Sequence, residues 1–92
     1  MPTRVVIDNE ASSRYTVVDV YAHDHPGLLH DIARVLSEEN LTIGMAKVNT
    51  EGLKAADVFY VEREGGGKLS DPMQAEALRA RLHASIDAAS VN

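Results

Sequence analysis

The chain has 92 residues and a mass of 10.0 kDa, with nine Lys and Arg against fourteen Asp and Glu and a net charge of −5. That length supports one small core, near the lower limit of what folds alone, and association with a second copy would help it. With no cysteine, a disulfide framework, thiolate metal sites and cysteine nucleophiles are excluded, and the acidic balance argues against a nucleic-acid partner.

No run approaches the roughly 18 apolar residues of a membrane span. Met1-Pro2-Thr3-Arg4 does not lead into a secretory segment. A cytoplasmic chain with no membrane partner is expected.

Val5-Val6-Ile7 is a short apolar strand closed by the turn formers Asp8-Asn9. Thr16–Ala22 is the clearest strand, β-branched, with Val18, Val20 and Ala22 on one face. The linker between them is short enough for a hairpin. After His23-Asp24-His25-Pro26-Gly27, residues Leu28, Leu29, Ile32, Val35 and Leu36 recur at helical spacing. Pro26 suits the first helical position, Asp24 or His25 stands where a cap would be, and Asn40 ends the helix in left-handed geometry. Glu38 and Glu39 are unfavourable beside the negative end of that helix.

Leu41, Ile43 and Met45 alternate, and then the apolar phase slips to Ala46 and Val48. The slip implies a bulge, or a strand buried on both faces. Asn49–Gly52 reads as a turn. Ala55–Glu62 is the next strand, with Ala56, Val58 and Tyr60 on one face and Phe59 and Val61 on the other. Two apolar faces imply cover on both sides, by helices on one and most economically by a partner chain on the other. Glu64–Lys68 is a flexible loop. Asp71-Pro72-Met73-Gln74 opens the last helix, with Asp as cap and Pro first, and Ala75, Leu78, Leu82 and Ile86 as its apolar stripe. Ser90–Asn92 is expected to fray.

The order strand, strand, helix, strand, strand, helix predicts an α+β, ferredoxin-like sandwich. Its four-stranded antiparallel sheet carries two helices on one face. The Val5–Ile7 strand takes the edge position that a C-terminal strand usually fills, and residues 1–92 form a single domain.

The His23–Gly27 loop is the richest candidate site. A strand there meets a helix N-terminus, whose free amides and dipole favour a carboxylate. Gly27 allows close backbone approach, and Asp24 can pair an ammonium group. That is the minimum equipment for holding an α-amino acid; taken locally, the loop also reads as an ordinary capped helix start. His23, His25 and His30 beside Asp24 and Asp31 raise a metal reading, but His30 lies a helical turn or more beyond the others. No metal or other cofactor is expected.

Ser12-Ser13 has no partnered base in view, and Asp57 and Glu62 read as solvent-facing or paired. Gly65-Gly66-Gly67-Lys68 echoes a phosphate loop but lacks the frame, with Leu69 where a hydroxyl residue would stand. The basic residues, Arg79 and Arg81 among them, are dispersed. No catalytic residue is assigned.

Three segments together resemble an ACT domain: Thr16–Leu29 with its Asp24-His25-Pro26-Gly27-Leu28-Leu29, Leu41–Gly52, and Ala56-Asp57-Val58-Phe59-Tyr60-Val61. More narrowly they resemble the C-terminal ACT subtype of bifunctional uridylyltransferase/uridylyl-removing enzymes acting on the PII nitrogen-signalling protein. The resemblance spans about residues 4 to 86. It implies a regulatory module that binds a small molecule, commonly an amino acid, and acts as a homodimer. It puts Asp24, His25, Pro26, Gly27, Leu28 and Leu29 on the loop side of the ligand, and Ile43, Met45 and Ala46 of the neighbouring copy on the strand side. In that subtype the implied signal is glutamine, and the implied effect is to switch activities housed in catalytic domains of a larger chain. His25 stands where the subtype usually carries Arg.

Three readings of function follow. The first is an amino-acid-sensing domain without catalysis of its own, and the second a ligand-free dimerisation module. The third, an isolated metal-dependent or hydrolytic enzyme, rests on the His/Asp cluster alone.

Overall fold

A computed structural model describes residues 2–90. In chain order the elements are β1 (Arg4–Asp8), β2 (Thr16–His23), α1 (Leu28–Glu38), β3 (Leu41–Lys47), β4 (Thr50–Glu51), β5 (Lys54–Arg63) and α2 (Pro72–Ser90). The main sheet runs β1-β2-β5-β3, antiparallel throughout, with β4 paired to the start of β5. β1 therefore occupies the expected edge. β2 and β3 both run antiparallel to β5, hence parallel to each other, and α1 is the crossover that joins them.

The core lies on the helical side of the sheet. Leu28, Ile32, Val35 and Leu36 of α1 and Leu78, Leu82 and Ile86 of α2 are buried against Val18, Val20 and Ala22 of β2 and Phe59 and Val61 of β5. Ala75, at the head of the α2 stripe, is only half-buried. α2 starts as its sequence dictates, with Asp71 accepting the Met73 amide at 2.9 Å and Pro72 at the first helical position. Ser90 is still helical, while Val91 and Asn92 lie outside the described residues.

At the end of α1, Asn40 adopts φ 60°, the left-handed stop expected of it. The misplaced charge of Glu38 and Glu39 is answered from the other helix. Arg81 bonds Glu38 and also reaches Glu39 at 2.8 Å, while Arg34 reaches Glu38 at 3.2 Å. The Arg81 guanidinium, and then Arg34, hold the Glu38 carboxyl below its ordinary range.

Two expectations are corrected. Thr50–Glu51 is a strand rather than part of a turn, because Gly52 at φ 63° lets the chain reverse over Gly52-Leu53 and pair Thr50 with Ala55 and Glu51 with Lys54. The sheet thus has a short fifth strand. β3 carries the anticipated bulge, but it is not buried on both faces: beyond Leu41 every residue of the strand is exposed. Gly44 is the inserted residue, since Ile43 pairs with Val61 and Met45 with the adjacent Tyr60. A side chain cannot stand there, because a Cβ on Gly44 would lie 2.6 Å from the Tyr15 ring and hydroxyl. Tyr15 in turn meets Tyr60 edge-on, with ring centroids 6.2 Å apart.

One buried polar group ties the two long connections together. Thr16 is fully buried; its hydroxyl donates to Asn9 Oδ1 at 2.6 Å and accepts the Leu69 amide at 2.8 Å. The Asn9 side-chain amide donates to the Leu69 carbonyl at 2.9 Å, and Lys68 Nζ donates to the Asn9 carbonyl at 2.7 Å. The hairpin before β2 is thereby locked to the linker before α2. Thr16→Val keeps the volume and orphans the Leu69 amide. We expect a loss of about 1–3 kcal/mol in urea unfolding, with no change of fold by circular dichroism.

Candidate functional site

The loop between β2 and α1 is built by backbone geometry. The Asp24 amide donates to the Leu53 carbonyl at 2.9 Å, which fastens the loop to the β4–β5 hairpin. Gly27 is the residue that precedes the helix, at φ 86° and ψ 0°, a conformation that glycine adopts without strain. The Leu28 amide donates to the His25 carbonyl at 3.2 Å and the Asp31 amide to the Gly27 carbonyl at 2.9 Å.

This corrects the expected cap. Neither Asp24 nor His25 caps α1, whose first turn has no side-chain acceptor, and Pro26 lies in the turn before the helix rather than at its first position. The left-handed Gly27 stands between those residues and the helix, and no side chain bonds the first turn. The amides of Leu29 and His30 consequently find no acceptor among the described residues. Two free donors at the positive end of a helix can receive a carboxylate.

The side chains around these donors differ in exposure. Asp24, Pro26, Gly27 and Leu29 are exposed, His25 is half-buried, and Leu28 is a core residue. His25 Nδ1 lies 3.0 Å from the Pro26 carbonyl, a contact that assigns its proton to Nδ1 and makes Nε2 an acceptor. Nε2 is buried and has no partner among the described residues. His23, His30 and Asp31 do not join Asp24 and His25 in a metal-binding group; among the described residues no three His, Asp or Glu converge in that way.

Ile43, Met45 and Ala46 lie elsewhere. Ala46 is level with Phe59 on β5, whereas Asp24 follows the His23–Lys54 pair at the far end of that strand. Five residues of strand separate the two levels, about 16 Å. One protomer does not bring the loop and the β3 segment together. Ile43 and Met45 are nonetheless exposed large apolar side chains on an edge strand, and Val48 and the 75%-exposed Leu53 extend the same apolar border.

Asp57 takes the second of the two readings given for it, paired rather than solvent-facing, and it is paired in the interior. It faces the helices, opposite Val20, and is only 2% exposed. Its Oδ1 accepts the Asn49 amide at 3.1 Å, which steadies the β4–β5 hairpin from beneath. The alternation along β5 carried the signal, since Ala55, Asp57, Phe59 and Val61 share a face. Glu62, by contrast, does pair near the surface, with Arg14 at 3.2 Å. A cavity of about 360 Å³ opens at the other end of α1 between Glu39, Arg63 and Gln74, away from the loop.

A ferredoxin-like sandwich with a glycine-hinged loop before its first helix defines a small α+β class. Residues 4–89 match the family model described as ACR9-like, ACT-like domain, and the chain belongs to the ACT-like domain family. It is 48% identical over 91 residues to the bifunctional uridylyltransferase/uridylyl-removing enzyme of Gluconobacter oxydans, a match covering 99% of this chain and 10% of that protein. It is 46% identical over 88 residues to the enzyme of the same name from Azospirillum brasilense, covering 95% and 9%. For that of Zymomonas mobilis the figures are 43% over 88 residues, 96% and 10%. The chain spans about a tenth of the length of the curated relatives it matches. No solved structure matches it. Among the described residues no helix is long and apolar enough to cross a membrane.

Burial pushes the Asp57 carboxyl above its ordinary value; the Asn49 amide opposes that shift and the Asp24 carboxylate adds to it. The folded chain thus holds this proton more tightly than the unfolded chain. Asp57 therefore removes stability as pH rises from the ordinary carboxylate range through its folded value. Asp57→Asn keeps an acceptor for Asn49 and deletes the charge. The variant should unfold at higher urea than the parent at neutral pH, with the advantage vanishing as pH falls to about 4.

Proposed function

We propose that this chain is an amino-acid-binding regulatory domain, with glutamine as the ligand, and that it has no catalytic role itself. The observation that carries the reading is the start of α1: two unpartnered amides at Leu29 and His30, no side-chain cap, and an exposed Asp24 carboxylate in the loop that leads into it. The amides receive the ligand carboxylate, and Asp24 pairs its ammonium group. Asp57 lies near enough to Asp24 to add to the negative field there. His25 Nε2, an acceptor without a donor, suits the N–H of a side-chain carboxamide once the loop admits it. Pro26 and Gly27 shape the turn, Leu28 anchors it in the core, and Leu29 lends apolar surface.

The other wall of the site, in this reading, is Ile43, Met45 and Ala46 of a neighbouring copy, since a homodimer joined through the exposed β3 edge supplies what one protomer does not. The relatives are named as enzymes with opposed uridylyl-transferring and uridylyl-removing activities. Binding here would shift the balance between such activities in catalytic domains of a larger chain, in a cytoplasmic setting. A coupling of about 1–3 kcal/mol between ligand and domain arrangement is enough.

A second reading, a dimerisation module without a ligand, is favoured by the exposed Ile43, Met45, Val48 and Leu53 along one border. A thermal-shift screen against the twenty amino acids separates the two. Glutamine at a hundred times its dissociation constant should add about 2.7 kcal/mol of stability. Asp24→Ala should weaken binding by about tenfold or more, about 1.4 kcal/mol, and leave the apo melting temperature unchanged. No response to any amino acid from a dimeric protein would favour the structural module.

A further inference from the structure

Asp57 is the one charged side chain buried among the described residues, at 2% exposure. No cation answers it there. It enters none of the ion pairs, and the charge whose field reaches it is a second carboxylate, that of Asp24. Burying an unpaired charge is costly, and an amide at this position could accept the same hydrogen bond without the charge. What the carboxylate adds is bond strength, since an ionised acceptor holds an N–H more firmly than a neutral one.

The bond it strengthens is the first of a series that ends at the candidate site. Asp57 Oδ1 accepts the Asn49 amide at 3.1 Å, and the Asn49 carbonyl accepts the Ala56 amide at 2.8 Å, so both backbone groups of Asn49 are fixed against β5. Asn49 leads directly into β4, whose Thr50 and Glu51 pair with Ala55 and Lys54. Gly52 turns the chain, and the carbonyl of the next residue, Leu53, accepts the Asp24 amide at 2.9 Å. Among the described residues that is the one backbone hydrogen bond tying residues 24–26 to the β4–β5 hairpin or to any strand.

We propose that Asp57 is a positioning residue for the ligand loop: by fixing Asn49 it sets the β4–β5 hairpin, and the hairpin holds Asp24 where the ligand's ammonium group meets it. This role rests on the function proposed above and extends it to a side chain too deep to touch a ligand. Its mark is locality. Weakening the Asn49 bond loosens the hairpin and the loop, while the far end of the β2–β5 pair, where Thr16 accepts the Leu69 amide at 2.8 Å, keeps its own lock.

Three variants test this. Asn49→Pro deletes the donated N–H at an exposed position, Asp57→Ala deletes the acceptor, and Asp57→Asn keeps an acceptor. Amide hydrogen exchange is followed by NMR at Asp24 and Leu69, and glutamine affinity by calorimetry. In Asn49→Pro and Asp57→Ala, exchange at Asp24 should quicken about tenfold and glutamine affinity should fall by about the same factor, with Leu69 unchanged. Asp57→Asn should keep both within about threefold of the parent. Exchange at Asp24 that stays at the parent's rate in the folded variants would overturn the role of Asp57, as would equal quickening at Leu69, which marks a general loss of stability. An affinity that holds while Asp24 loosens would overturn it as well. Should Asp57→Ala fail to fold, Asn49→Pro decides alone, since it leaves the core side chains unchanged. A parent that binds no glutamine ends the functional reading, and exchange at Asp24 still decides whether Asp57 sets the loop.

Discussion

The antiparallel pairing of β2 with β5, from Thr16 against Val61 to His23 against Lys54, governs where every other element can go. The pair is central, so each strand must find a further neighbour, and β1 and β3 take those two edges. Its inner face carries Val18, Val20, Ala22, Phe59 and Val61, which fixes the side on which both helices lie. Its ends carry the chemistry. At one end the loop before α1 is clasped to the hairpin before β5 through Asp24 and Leu53; at the other the Asn9–Thr16–Leu69 network joins the two long connections. Misregistering this pair by one residue would exchange the inner and outer faces of both strands at once.

The candidate site inherits its character from that placement. A helix start is a common place for a side-chain cap, and here the cap is missing because Gly27 turns the chain in left-handed geometry. What a cap would satisfy is left for the ligand proposed above. The site is also strongly one-sided: one protomer offers amides and a carboxylate but no enclosing wall. A small domain with two helices cannot surround a metabolite, so enclosure has to come from outside the protomer. In the proposed function, association and binding are therefore the same problem, and the exposed apolar residues of β3 would serve both.

Much of this was legible in the residues, and the failures have physical causes. The stripes of α1 and α2, the Asp71-Pro72 start, the Asn40 stop and the β1–β2 hairpin follow from local rules that tertiary packing does not override. The slip at Met45 and Ala46 announced a bulge, but its residue, Gly44, was fixed by the Tyr15 ring, a contact across 29 positions of chain that periodicity does not see. Thr50–Glu51 is too short to have a period, and becomes a strand only because Gly52 returns the chain to β5. For Asp57 the sequence left solvent-facing and paired both open, because its partner is a backbone amide supplied by that same hairpin and carries no side-chain signal. For the loop, residue types pointed to the wrong cap, since side-chain identity does not reveal that the preceding backbone turns left-handed.

The use of an N-terminal strand as the sheet's edge has a consequence for how the molecule assembles. All five strands lie within the first 63 residues, and the last element is a helix. The hairpin of β1 and β2 is local in sequence, and β5 precedes α2, so every pairing of the sheet is made by residues that come before that helix. The slow, long-range part of the search, bringing β5 to β2 across the α1 crossover, needs no residue of α2 to form its hydrogen bonds. What remains for α2 is the rapid winding of a helix onto a surface already built to receive it. A strand placed after α2 would instead have made completion of the sheet depend on residues beyond that helix.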